Sequence, residues 1–309
     1  MHFPVAGIDV NPLAPPLVAF AISLFTSMGG VSGAFLLLPF QVSILGFTSP
    51  SVSSTNQVFN IVAIPSGVYR YIREGRMVWP LTWVVIIGTL PGVLIGAIVR
   101  VQYLPDPKNF KLFVGLVLLY IGGRLLNDLC SRKKRSGQPS PEQRFQQQQK
   151  QPQAGGQPAR VVVTQWTPGR IVYEFCGETI SVNAWGVVAL SLIVGLIGGV
   201  YGIGGGSIIA PFFVSFFGMP IYTVAGAALM GTFVTSVAGV AFYQIIAPWY
   251  PGMAIAPDWL LGFLFGIGGF AGMYCGARLQ KFVPAIWIKW LLVACLLLTA
   301  GNYLLPLLF

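Results

Sequence analysis

Ser53, Asn56 and Asn60 recur at i, i+3 and i+7 in a stretch that also carries Ser54, Thr55 and Gln57. On a helix that spacing puts the first three on one face. Carboxamides and hydroxyls so arranged can surround an oxyanion and replace its water without trapping it as a full charge would. A milder counterpart comes later, where Thr232, Thr235 and Ser236 follow Tyr201 and Ser207. The competing use of such groups is hydrogen bonding to neighbouring helices.

Other chemistry has few candidates. No Asp or Glu lies well inside an apolar segment and the single histidine is His2, so the usual intramembrane proton relay has no members. No His, Cys and carboxylate grouping suggests a metal, no Ser-His-Asp or Cys-His set suggests an enzyme, and no cofactor is called for. Gly204-Gly205-Gly206 lacks the Lys-Ser/Thr of a phosphate-binding loop. The four cysteines, Cys130, Cys176, Cys275 and Cys295, form no CxxC pair and read as reduced packing residues.

The elements that must position the polar groups follow from composition. A chain of 309 residues with 55% hydrophobic and 8% charged residues and a mean hydropathy of +0.76 cannot hide its apolar surface in a soluble core. It reads as an all-α polytopic membrane protein whose partner is the lipid bilayer. Eight apolar blocks reach the roughly 20 residues a crossing needs, near 13–45, 53–71, 78–101, 110–129, 185–217, 221–246, 259–279 and 286–305. The N-terminus, Met1-His2-Phe3-Pro4, has no basic n-region, so the first block is expected to stay in the membrane.

The first and fifth blocks are overlong, and each is interrupted. Gly29-Gly30-Val31-Ser32-Gly33 leads to Pro39, and Gly202-Ile203-Gly204-Gly205-Gly206-Ser207 leads to Pro211. Glycine lets the backbone leave helical dihedrals, and proline denies an amide to a continuing helix. Backbone groups freed in hydrocarbon must line a cavity or meet a ligand. The N-terminal end of a half-helix carries free N–H groups and partial positive charge, which suits an anion.

The interruptions belong to an internal repeat. A shift of 172 positions, which carries Gly33 onto Gly205, also aligns Gly30 with Gly202, Pro39 with Pro211 and Gly46 with Gly218. A shift of 180, which carries Gly92 onto Gly272, aligns Gly88 with Gly268 and Gly96 with Gly276, so the second half has a short insertion near Pro248, Tyr250 and Pro251. Those glycines make small-xxx-small faces suited to close helix contact within one chain or in a homodimer.

Charge orients the halves. Arg70, Arg73 and Arg76 follow the second block and Arg132, Lys133, Lys134 and Arg135 follow the fourth, which places both on the cytoplasmic side, while Gln244 to Asp258 contains no basic residue. A net charge of +10 concentrated there reads as a topology signal rather than a nucleic-acid tail. Putting Arg278 and Lys281 inside as well requires blocks one and five to enter and return on the same side. The expectation is two inverted-topology repeats, each a Gly-rich broken or re-entrant helix pair plus three transmembrane helices. Residues 1–130 form the first repeat and 184–309 the second, joined by a cytoplasmic linker at 131–183. The linker contains a Gln-rich tract too polar to fold and a β-hairpin predicted around Thr167-Pro168-Gly169.

The paired glycine strings with their following prolines resemble the TauE/SafE sulfite exporter family across both halves, leaving out the linker. In the first string Ser32 and Ala34 stand where the family has glycines. The resemblance implies export of sulfite or an organic sulfonate such as sulfoacetate across the bacterial inner membrane. The substrate-binding set expected from the residues is Gly30, Ser32, Gly33, Ser53, Asn56, Gln57 and Asn60, with Gly204, Gly205, Gly206, Ser207 and Thr232. A small anion is the expected partner and halves rocking about one central site the expected motion. The alternatives are a channel-like or cation-coupled uptake permease, and a membrane partner of a sulfur-metabolism complex reached through the hairpin.

Overall fold

The computed structural model describes residues 1–132, 160–280 and 282–308, and the Gln-rich tract with Lys133, Lys134 and Arg135 lies outside them. A two-stranded ribbon, β1 (His2–Phe3) with β2 (Ile8–Asp9), precedes α1 (Ala14–Met28), α2 (Ala34–Ser43), α3 (Ser51–Arg73), α4 (Trp79–Gln102) and α5 (Pro107–Arg132). The second half runs through β3 (Val162–Thr167), β4 (Arg170–Phe175), β5 (Glu178–Asn183), α6 (Ala184–Tyr201), α7 (Ile209–Phe217), α8 (Ile221–Ile246), α9 (Trp259–Leu279) and α10 (Ala285–Leu308).

The two overlong blocks are therefore each two helices, split where the glycines fall. Residues 29–33 separate α1 from α2, and residues 202–208 separate α6 from α7. Local chemistry sets these ends. Asn183 caps α6, its Oδ1 accepting from the Trp185 and Gly186 amides at 2.9 and 3.2 Å, and Gly202 ends it in the left-handed region at φ 77°. The insertion near Pro248 appears as residues 247–258 between α8 and α9, against residues 74–78 between α3 and α4.

Five helical stretches are long and apolar enough to cross a bilayer: Trp79–Gln102, Pro107–Asn127, Ala184–Tyr201, Ile221–Trp249 and Trp259–Leu279. Trp83, Ile87, Ile95, Leu116, Leu119, Phe263 and Ile267 are exposed along them, an apolar surface of the kind a bilayer covers. The protein is a multi-pass, mostly helical membrane protein. α3 falls outside this set because its buried face is polar: Ser53, Ser54, Thr55, Asn56, Gln57 and Asn60 are all 0% exposed.

Helix pairs form across the halves. α9 lies along α1 in parallel, with Gly268, Gly272 and Gly276 against Pro16, Phe20 and Leu24. α4 lies along α6 in the same way, with Gly88, Gly92 and Gly96 against Val188, Leu192 and Leu196. A Cβ on Gly92 would come 2.6 Å from the Leu196 amide nitrogen, so only glycine permits this approach. Both small-residue faces are thus used inside the chain. α3 and α8 instead run antiparallel: Asn60 meets Ser236, and one turn away Gln57 lies against Gly239.

The hairpin expected around Thr167-Pro168-Gly169 is present, with β3 and β4 antiparallel, and β5 adds a third strand in the order β3-β4-β5. The β4–β5 turn is Cys176 and Gly177, at φ 51° and 76°, and two residues at positive φ make a tight hairpin turn. Ile171, Tyr173 and Phe175 alternate inward. The Tyr173 hydroxyl lies 3.0 Å from Thr223 Oγ1 on α8, and the Val161 amide donates to Gly75 O at 2.9 Å. The sheet therefore touches both halves at one end of the bundle. Burial pushes the Tyr173 phenol up to about 12.

Candidate functional site

α3 brings its polar face to both breaks at once. The Asn56 carboxamide nitrogen donates to Ala34 O at 3.0 Å and to Gly202 O at 3.2 Å, spanning the first break and the second. One turn on, the Asn60 nitrogen donates to Ile203 O at 2.9 Å and Ser236 Oγ at 3.1 Å, while its oxygen accepts from the Ser32 hydroxyl. Helical i, i+4 spacing is what lets two carboxamides reach successive residues of one irregular segment.

The second break is held from the other side by α8. Thr235 Oγ1 accepts from the Gly205 amide at 3.0 Å. Thr232 sends its hydroxyl back to Ala228 O at 2.8 Å, and Ser207 sends its own to Ile203 O. Gly204, at φ 80°, leaves room for Ser236, and a Cβ on Gly206 would come 2.8 Å from the Thr232 amide nitrogen. These glycines are where backbone meets helix without side chain between.

The expected residues do not all converge. Ser32, Asn56, Asn60, Gly204, Gly205, Gly206, Ser207 and Thr232 gather around the two breaks, and Ser53 is against Gly202. Gly30 abuts Ala225, and Gly33 abuts Ser23, so both serve the approach of α8 and α1 to the first break. Gln57 stands off the network, with its carboxamide against Gly239.

Three contributors escaped the sequence reading. Gln41, a lone amide in the apolar α2, donates to Asn56 Oδ1 at 3.2 Å; its isolation in Phe40-Gln41-Val42 was the available signal. Thr89 of α4 lies where a Cβ on Gly205 would fall, at 2.5 Å. Gln280, just past α9, donates to Met28 O at 2.8 Å and accepts from Tyr71 and from Arg76 at 3.1 and 2.9 Å. That cluster ties the end of α1 to the basic end of α3. Tyr201 has a sharper role than expected: Pro39 removes the amide that would bond Phe35 O in α2, and the Tyr201 hydroxyl donates to that carbonyl at 2.9 Å.

Chemically, the centre is a neutral hydrogen-bonding surface made of amides, hydroxyls and peptide groups. Among the described residues the amides of Ser32 and Gly33 at the first break, and of Gly204, Gly206 and Ile208 at the second, donate no hydrogen bond. Unpaired donors at the start of α2 and α7 lie in the positive end of each helix dipole.

No curated protein and no solved structure matches this chain. A family model, sulfite exporter TauE/SafE, matches residues 16–303, from α1 into α10 with both breaks included. The chain belongs to the TauE/SafE sulfite exporter family, a family of membrane transporters.

Proposed function

We propose that this protein is a secondary transporter that exports a small sulfur oxyanion, sulfite or an organosulfonate, across the inner membrane by alternating access. The observation that carries the reading is the Asn56 and Asn60 bridge, by which side chains of the first half hold the carbonyls of Gly202 and Ile203 in the second. It supports one central site shared by two breaks, with the unpaired amides at the starts of α2 and α7 as donors to the anion. The reading is transport without a catalytic step.

Inverted repeats with re-entrant pairs are supported by four contacts and a direction. Ala6 N reaches Asp258 Oδ2 at 3.3 Å, and Ser51 N reaches Ala254 O at 2.9 Å, so both ends of the α1–α2 segment meet residues 254–258. The Ala184 amide reaches Gly169 O at 3.1 Å, and Thr223, at the start of α8, meets Tyr173 of the same sheet. α3 and α8 occupy equivalent places in the repeat yet run antiparallel, as a two-fold axis in the membrane plane requires. Arg70, Arg73 and Arg76 support a cytoplasmic location for the sheet end of the bundle.

Export of such an anion needs no elaborate coupling. With the cytoplasm negative, each unit of negative charge moved outward gains about 2.3 kcal/mol per 100 mV. Ser32, Asn56, Asn60 and Ser236 are all 0% exposed, so access requires the halves to part at these hydrogen bonds. The test is flux of labelled sulfite and organosulfonates from proteoliposomes with and without an imposed potential. Outward flux that rises with an inside-negative potential is expected, and absence of flux of every small oxyanion overturns the reading. Sodium-dependent uptake would select the cation-coupled permease instead.

A further inference from the structure

Arg100, near the end of α4, is 0% exposed. Its guanidinium lies 3.8 Å from the centroid of the Phe110 ring and donates through Nη1 to Leu104 O. Nε and Nη2 have no hydrogen-bond partner. The ion pairs among the described residues, His2–Asp9, Arg70–Glu74 and Arg76–Glu74, do not include it. A buried cation without a counter-ion is expensive in any protein interior. Ala97 and Val101, which flank it on α4, pack in one apolar cluster with Tyr243 and Ile246 of α8 and with Ile255.

The polar atoms continue inward from there. Tyr243 on α8 lies beside Ser53 on α3, yet neither hydroxyl closes a well-directed hydrogen bond. Four residues along each helix, Gln57 lies against Gly239, and both its carboxamide oxygen and nitrogen lack partners at 0% exposure. The next step of the same antiparallel register is Asn60 against Ser236, at the central site. Unsatisfied donors thus run along the α3–α8 seam from Arg100 to the breaks. Native interiors leave few such groups without a reason.

We propose that Arg100, with Tyr243, forms a second oxyanion site between the central breaks and the end of the bundle that carries residues 254–258. A guanidinium offers two parallel N–H donors matched to two oxygens of one oxyanion, and here Nε and Nη2 are the two that remain. A sulfite or sulfonate group completes the hydrogen bonding of Arg100, with Tyr243 donating a third bond. Gln57, between the two sites, hands the anion along the seam. The site rests on the transport reading for its place on an exit path, while its occupancy rests on Arg100 alone.

Equilibrium binding of radiolabelled sulfite to the purified full-length protein tests it, with unlabelled methanesulfonate and chloride as competitors. Wild type should bind two sulfites per chain, displaced by methanesulfonate far better than by chloride. Arg100→Gln should bind one, Tyr243→Phe should keep both with one weakened about tenfold, and Asn60→Leu should lose the other. Arg100→Gln binding as wild type does, or one sulfite lost in Arg100→Gln and Asn60→Leu alike, overturns the second site. A single sulfite lost in Arg100→Gln and kept in Asn60→Leu upholds Arg100 and removes the central site. If Arg100→Gln does not fold, Tyr243→Phe decides: unchanged affinity at both sites overturns the proposal. No bound sulfite in wild type overturns both sites.

Discussion

The Asn60 carboxamide on α3 donates to the Ile203 carbonyl at 2.9 Å, so a side chain of one half closes the backbone break of the other. The bond makes the halves interdependent at the point where a shared ligand would bind. It also means that substitutions at Asn60 act on stability and transport together, and the two effects have to be separated by the choice of replacement.

Asn60→Leu leaves Ile203 O and the Ser32 and Ser236 hydroxyls without their partner, a loss of about 1–3 kcal/mol per buried group left unpaired. Thermal unfolding in detergent should fall and sulfite flux should be lost. Asn60→Asp keeps the size but puts a negative charge at the site. It also removes the donor to Ile203 O and buries that charge, so folded yield should fall as well, and flux per folded molecule, from proteoliposomes normalised by size exclusion, should fall further still.

Tyr201→Phe should destabilise the protein by about 1–3 kcal/mol, because the Phe35 carbonyl freed by Pro39 loses the Tyr201 donor. Pro39→Ala restores the missing amide to α2. Added to Tyr201→Phe, it should therefore recover part of the loss, and a double-mutant cycle measures the coupling. Strict additivity would show that Tyr201 holds the break by contact area rather than by this bond.

Gly206→Ala should prevent accumulation of folded protein, since its Cβ would meet the Ala228 carbonyl and lie 2.8 Å from the Thr232 amide nitrogen, both backbone. Gly252→Ala, where nothing lies within 4 Å, is the matched control and should express as wild type does. Fluorescence-detected size exclusion of tagged variants compares them.

Tyr173 has its phenol raised from 10.0 to about 12 by burial in the folded sheet. The folded state then holds the proton more tightly than the unfolded chain, so the contribution is constant below about 10 and is lost as pH rises from 10 to about 12. Hydrogen exchange of β3 to β5 should lose protection across that window, and Tyr173→Phe should flatten the dependence.

Cysteine substitutions at Gly169 and Gly252 test sidedness, since neither position has a heavy atom within 4 Å of an added Cβ. With the four native cysteines replaced, a membrane-impermeant maleimide should label Gly252→Cys in intact cells and Gly169→Cys only after permeabilisation. Labelling of both from one side rules out the inverted arrangement.

Much of this was legible in the chain itself. Apolar content fixed the membrane setting, because no soluble core could bury it, and Gly-to-Pro spacing located both breaks, because those two residue types restrict the backbone locally. Spacing at i, i+3 and i+7 put Ser53, Asn56 and Asn60 on one face for the same local reason. Partners were another matter. That Asn60 meets Ile203, that Pro39 is answered by Tyr201, that Gln280 ties α1 to α3, that Gln57 stands apart and that Gly92 serves α6 instead of a second copy all depend on segments more than a hundred residues apart. Only the tertiary fold brings them together, and no local propensity encodes such a contact.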